Sequence, residues 1–346
     1  RGVLCVATPL LSRGAVTDPA LGSFLTQSLV PGAAGALPLY LQTSPEFFMK
    51  RLLAAGSGPV YQLSHVFRNG EHGSRHNPEF MMLEWYRPGM DYHALMDEVE
   101  GLLAFSLQGI RDYHPARRVA YRAWFQEHTG LDPWSIDVPA LRNFATRTLG
   151  PAPAGMDETR LSPWLDLVVT HWIEPRIRDQ TLFVFDFPPA QASLARLRND
   201  PVPVAERFEL YFGGIELANG FHELADAAEQ RSRFEADNRL RERWGLPVIP
   251  LDESLLGALA HGLPDSSGVA LGVDRLQLPQ DAGLVFRGRI EVDGVPVWRS
   301  EPRPVDLTSK TIDLGSVMLR AVAETDMSVV NMPRRTIFAP SKSAVR

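Results

Sequence analysis

Along residues 1–276, apolar positions recur with the two periods that distinguish helices from strands. Thr43-Ser44 ahead of Pro45 and Glu46 is a helix start, and Phe48, Met49, Leu52 and Leu53 then form one apolar stripe that Gly56 ends. Strands are expected within residues 1–12, at Leu39–Leu41, at Val60–Arg68 and at Pro78–Arg87. A Gly/Ala/Pro/Ser-rich loop is expected over 20–38, and a polar loop, Asn69–Asn77, joins the last two strands. Residues 92–112 read as a helix, 115–180 as mostly helical, and Leu182–Phe185 as a strand. Gly213-Gly214 between Phe208–Phe212 and Ile215–Ala218 is a two-residue hairpin signal. Helices over Ala225–Trp244 and Glu253–His261 and a strand over Gly268–Val273 follow. From 277 onward Pro279, Pro296, Pro302, Pro304, Pro333 and Pro340 interrupt every pattern, so 1–276 is expected as one domain and 277–346 as an atypical tail of unknown fold.

Composition adds limits. With 45% hydrophobic and 22% charged residues, the 346-residue chain has the balance of an ordinary globular protein. A net charge of −6 does not favour a nucleic-acid-binding face. The lone Cys5 can form neither an internal disulfide nor a multi-cysteine zinc site; it reads as a small buried hydrophobe, in keeping with a cytoplasmic location. No apolar run approaches the ~20 residues of a membrane span.

Three segments carry candidate chemistry. Alternation along 78–87 puts Phe80, Met82, Glu84 and Tyr86 on one face and Met81, Leu83 and Trp85 on the other. A ring, a carboxylate and a phenol on one face suit a pocket for a flat base and a cation, with Arg68 nearby as a phosphate ligand; a half-exposed hairpin with a solvated face would read the same way. In the second segment the turn pairs Tyr211 with Glu216 and sets Glu209 opposite Ala218, so Glu209 and Glu216 share a face as diagonal neighbours. Two such acids suit a divalent cation beside phosphate, or solvent. A one-residue bulge near Ala218–Gly220 is expected to bring Asn219, Phe221 and Glu223 onto the same face. The third segment, Gly268–Arg275, places the small Ala270 and Gly272 on one face, either for close packing or to let a ligand lie against the backbone.

The stretches LQTSPEFFMKRLLAAG, HNPEFMMLEWYRP, GIELANGFHELADA and SGVALGVDRL, in that order, resemble the class II aminoacyl-tRNA synthetases of the lysyl type. They are most similar to the family of bacterial ligases that attach (R)-β-lysine to elongation factor P. The resemblance runs from about residue 2 to 276 and implies an α+β fold: a mostly antiparallel sheet flanked by helices, in a homodimer. It implies that ATP and Mg²⁺ convert a lysine or β-lysine into its adenylate, which then acylates a lysine of elongation factor P. Arg68 would hold the α-phosphate and Phe80 would stack on adenine. Arg275 would lie on the other face of the base or at the γ-phosphate. Asn69, Gly70, Glu71, His76, Asn77, Leu217 and Gly272 would complete the ATP site, and Glu209 and Glu216 would bind Mg²⁺. Ser44, Pro45 and Glu46 would line the amino-acid pocket. Glu84, Tyr86 and Glu223 would hold the amines, with Asn219 and Phe221 beside them and the Ala270 methyl on the floor. The family carries an acid where this chain has Gly70, with Glu71 next to it. The helix of motif 1 is expected to be truncated at Arg1. The acidic balance and the absence of an anticodon-binding barrel ahead of the core argue against tRNA as a partner. A lysyl-tRNA synthetase fragment and a non-catalytic paralogue remain the alternatives.

Overall fold

The computed structural model describes residues 2–29, 35–71, 76–107, 113–153, 155–199 and 201–276, together with four strands between 287 and 322. Two compact units divide the chain at Leu276/Gln277. The first contains β1 (Leu4–Cys5), β2 (Leu11–Ser12), β3 (Leu25–Leu29), β4 (Ala36–Leu41), α1 (Glu46–Ala54), β5 (Val60–Phe67), β6 (Glu79–Pro88) and α2 (Tyr92–Leu107). It continues with β7 (Arg117–Ala120), α3 (Tyr121–Thr129), α4 (Val138–Leu149), α5 (Ser162–Val168), β8 (Thr181–Phe187), β9 (Leu197–Arg198), β10 (Val204–Phe212) and β11 (Ile215–His222). It ends with α6 (Ala227–Arg243), α7 (Glu253–Gly262) and β12 (Ser266–Gly272). In the second unit β13 (Arg287–Val292), β14 (Val295–Arg299), β15 (Lys310–Asp313) and β16 (Val317–Val322) form an antiparallel sheet in the order β14-β13-β16-β15.

A nine-stranded sheet organises the first unit, in the order β1-β5-β6-β12-β11-β10-β8-β7 with β9 beside β10. Only the pairs at its two edges, β1–β5 and β7–β8, are parallel. Helix α2 packs across one face, against β10, β11 and β12, and Trp85 donates to its Glu98 at 3.3 Å. Met81, Leu83 and Trp85 are buried on that side with Leu95, Met96 and Val99. Around α3, Trp124, Phe125 and Tyr121 are fully buried, and the Trp124 ring lies 5.5 Å from that of Tyr211. Each fully buried phenylalanine such as Phe125 or Phe208 contributes about 1.5–3 kcal/mol relative to exposure.

Acidic residues cap three of the helices as their sequence suggests: Asp137, Asp226 and Asp252 accept from first-turn amides of α4, α6 and α7. At α1 the same service comes from one residue further out, where Ser44 Oγ accepts from the Glu46 amide at 3.0 Å. Among the described residues, no helix is long and apolar enough to cross a membrane.

Several expectations change. The segment 20–38 is not all loop: β3 lies in it and pairs with β4, from Leu25↔Tyr40 to Leu29↔Ala36. Composition hid that strand because neither face of it is buried in this chain. Strand β7 falls within the region read as mostly helical. Cys5 is exposed, because two-residue β1 lies at the sheet's edge with β5 as its neighbour. On α1 the buried residues are Met49, Lys50 and Leu53, whereas Phe48 and Leu52 are half-buried. The expected bulge exists but sits earlier. Tyr211 pairs with Glu216 and Leu210 with Ala218, so Leu217 is the extra residue and Glu209 pairs with Asn219. Of the residues expected on the site face, Asn219 and Phe221 share one face with Glu216, whereas Glu223 lies past the end of β11.

Close approach of strands fixes one glycine. A Cβ at Gly220 would stand 2.5 Å from the Phe208 ring and 2.9 Å from the Gly268 carbonyl oxygen. Gly220→Ala is therefore expected to destabilise the domain by about 1–3 kcal/mol, read as a lower urea midpoint with an unchanged slope.

Candidate active site

On the sheet face away from α2 lies a cavity of about 750 Å³. Alternation decides its walls. Phe80, Met82, Glu84 and Tyr86 face it from β6, Arg207 and Glu209 from β10, and Gly268, Ala270 and Gly272 from β12. Beside them lie Glu216, Asn219 and Phe221 from β11 and Ser44 and Glu46 from the start of α1. The small β12 residues leave the strand backbone open between two acidic walls. Gly268 in particular has no room for a side chain: a Cβ there would be 2.3 Å from the Tyr86 ring and 2.5 Å from Glu223 Oε1.

One end of the cavity is an anionic cluster. Glu84 is buried and accepts hydrogen bonds from Ser44 Oγ at 2.7 Å and Tyr86 OH at 2.6 Å. Glu223 is buried behind the cavity wall, and its carboxylate meets the Lys50 ammonium at 2.5 Å. Lys50 also meets Glu46 at 2.7 Å. Burial pushes Glu84 up to about 7, helped by the charge of Glu46 and opposed by its two hydroxyl donors. Burial likewise pushes Glu223 up to about 8, against the pull of Lys50. For Lys50, burial alone would favour the neutral amine, but Glu223 and Glu46 outweigh it and hold the ammonium charged. The Tyr86 phenol is raised by burial and by the same carboxylates, so it stays a donor.

The other end mixes cations and acids. The Arg68 guanidinium lies 5.1 Å from the Phe80 ring centre and 3.5 Å from Glu71, and its buried Nε has no hydrogen-bond partner. Arg275, on a single 3₁₀ turn after β12, donates to the Glu216 carbonyl at 2.8 Å and stands 3.6 Å from its carboxylate. Glu209 accepts from Arg207 at 2.5 Å and from Tyr211 OH at 2.6 Å. Burial raises Glu209 to about 7; Arg207 opposes the rise and Glu216 adds to it.

No group of three His, Cys, Asp or Glu side chains among the described residues could hold a metal alone. Mg²⁺ rarely needs one, since it takes one or two carboxylates and completes its shell with water and phosphate oxygens. Glu216 is 36% exposed and faces the cavity, and its charge bears on Glu209, so the pair fits a cation that shares a phosphate ligand.

The structure therefore gathers Ser44, Glu46, Arg68, Phe80, Glu84, Tyr86, Glu209, Glu216, Leu217, Asn219, Phe221, Ala270, Gly272 and Arg275 around one cavity. Pro45 is buried beside it, and Glu223 stands behind the wall rather than on it. Asn69, Gly70, His76 and Asn77 are exposed and do not line the cavity, and positions 72–75 of their loop lie outside the described residues. Gly70 has a φ of +91°, a left-handed backbone that suits glycine, and the acid beside it, Glu71, pairs with Arg68. Three residues escaped the sequence reading. Gly268 and Arg207 share faces with Ala270 and Glu209, so alternation could have found them. Lys50 follows Glu46 by four residues on α1, a local ion-pair spacing, but nothing in the chain marks its pairing with Glu223.

The model of the family described as tRNA synthetases class II (D, K and N) matches residues 1–279. The chain is 54% identical to a Yersinia enterocolitica protein named elongation factor P–(R)-beta-lysine ligase, over 277 residues that span 80% of this chain and 84% of that protein. Proteins of the same name from Edwardsiella ictaluri and Salmonella paratyphi B are 53% and 52% identical over the same shares.

The raised carboxylates give the empty protein a pH signature. Glu84 binds its proton more tightly folded than unfolded, so its contribution to stability is full below about 4.5 and is lost as pH rises through about 7. Glu84→Gln, which keeps an acceptor for one of the two hydroxyls and turns its amide NH₂ to the other, is expected to flatten the fall of melting temperature between those two pH values. A slope equal to that of the unaltered protein would contradict it.

Proposed function

Because the chain belongs to the class II tRNA synthetases of the D, K and N group, we propose that it is an ATP-dependent ligase that activates (R)-β-lysine and transfers it to a lysine side chain of elongation factor P. One observation carries this reading beyond family membership. A single cavity has a buried carboxylate cluster suited to ammonium groups at one end and an arginine-rich, phosphate-suited end at the other.

In this reading Glu46, Glu84 and Tyr86 hold the amines, Glu223 backs them through Lys50, and Ser44, Asn219 and Phe221 fill out that end. The amino-acid carboxylate is left pointing toward Arg68. It attacks the α-phosphorus of ATP, forming the acyl–phosphate bond as the bond to pyrophosphate breaks. Arg68 meets the charge developing on the α-phosphate, Phe80 supports the adenine, and Arg275 lies toward the outer phosphates or the base. Mg²⁺, held by Glu216 and Glu209, would supply charge neutralisation at the phosphates. In the second step the unprotonated amine of the acceptor lysine attacks the acyl carbon, AMP leaves, and the amine's proton passes to solvent. Orientation and charge stabilisation suffice, so no side-chain nucleophile is required. The Ala270 methyl shapes the floor of the pocket beside the amino acid.

A homodimer forms through the N-terminal strands. Leu25 and Leu29 of β3 are 60% and 85% exposed, and Leu4, Leu10 and Leu11 are exposed as well, an apolar surface that a second copy would cover. The cytoplasm, where ATP and elongation factor P meet, is its place of action.

Amino-acid-dependent exchange of pyrophosphate into ATP tests the activity. Faster exchange with (R)-β-lysine than with lysine is expected; a preference for lysine would point to a tRNA synthetase core, and none with either would sink the ligase. Light scattering tests the assembly: a dimer mass is expected, falling to a monomer for Leu29→Asp.

A further inference from the structure

Lys50 is a full charge behind the wall of the cavity that no step of the reaction uses. It is 1% exposed, yet its ammonium is not a stray: it stands 2.7 Å from Glu46, 2.5 Å from Glu223 and 5.5 Å from the Phe221 ring centre. The charged and titratable groups facing it come from three elements. They are Glu46 on α1, Glu84 and Tyr86 on β6, and Glu223 just past β11. Three carboxylates share this pocket with one ammonium, which leaves two negative charges when all are ionised.

Two is the number of ammonium groups on a lysine-type amino acid. Without Lys50 the pocket would hold three acids in a desolvated site, and like charges at such separations do not all ionise together. One acid would take up a proton and cease to attract an amine. The Nζ atom also ties α1 to the end of β11, so it fixes how far apart Glu46 and Glu223 stand. Resting on the ligase reading above, we propose that Lys50 is a positioning residue that sets the charge and spacing of the amine end, so that the site accepts a doubly cationic amino acid. The existing tilt toward protonation agrees with this: even beside Lys50, Glu223 is raised to about 8 and Glu84 to about 7.

Pyrophosphate exchange by the full-length protein, measured from pH 6 to 9 with (R)-β-lysine and with ATP varied in turn, tests the proposal. Lys50→Met is expected to raise the amino-acid KM about tenfold at pH 7 while the KM for ATP stays constant. Its rising limb of kcat/KM for the amino acid is expected to move up by about one pH unit, because a carboxylate must first lose its proton. Lys50→Arg keeps the charge and is expected to keep the limb in place. The double variant Lys50→Met/Glu46→Gln removes one charge of each sign and is expected to return the limb to its original position, even though it loses an amine contact. An unshifted limb in Lys50→Met, or a loss that raises both KM values alike, would overturn the proposal and leave Lys50 a strut. Should Lys50→Met fail to fold, the double variant decides alone: a limb at the original pH supports the proposal, and a raised limb refutes it. Exchange by the unaltered protein separates the two ideas, since its absence sinks the ligase reading, and its presence with an indifferent Lys50 sinks this one.

Discussion

A strand shows only every second side chain to one face of a sheet, and the cavity depends on four neighbouring strands keeping that alternation in phase. β6, β12, β11 and β10 lie side by side, and their registers bring Glu84 opposite Ala270, Ala270 opposite Asn219, and Asn219 opposite Glu209. A slip of one residue in any of them would bury the carboxylates against α2 and turn Leu83, Leu271 or Leu210 into the cavity. The extra residue at Leu217 is part of that phasing. It lets Glu216 near the turn and Asn219 and Phe221 further along face the same way, although plain alternation would part them.

Phase alone would make an untenable core, since it drives acids into a region with little water. The structure resolves this in two different ways. At the amine end, Ser44, Tyr86 and Lys50 supply donors and one balancing charge, and the acids that remain are biased toward protonation until cations arrive. At the other end, Arg207 and Tyr211 each donate to Glu209, while Glu216 keeps a carboxylate in the cavity. Removing one partner of a buried ion pair typically costs about 3–5 kcal/mol, which is why each buried acid here comes with a donor.

Much of this was readable in the chain itself. Alternation alone assigned Phe80, Met82, Glu84 and Tyr86 to one face, and the glycine pair at Gly213-Gly214 located the hairpin that carries Glu209 and Glu216. The hairpin's exact phase was not readable, because a bulge at Leu217 and one near Ala218–Gly220 fit the same residues and the pairing with β10 decides between them. β3 was missed because its side chains bury nothing within the chain, so it lacks the apolar period by which strands are recognised. Glu223 was expected on the wall and stands behind it, drawn there by Lys50.

Local sequence determined the elements, the capped helix starts and which residues each strand could show to one side, because those follow from backbone geometry over a few positions. It also determined the family, through ordered stretches that span the first unit. What only the tertiary structure decided is which charges meet. Lys50 and Glu223 are far apart in the chain and lie on different elements, and neither carries a local mark of its partner. Their pairing exists only once α1 is laid against the end of β11, because electrostatic energy in a desolvated pocket depends on distances through space that residue order does not contain.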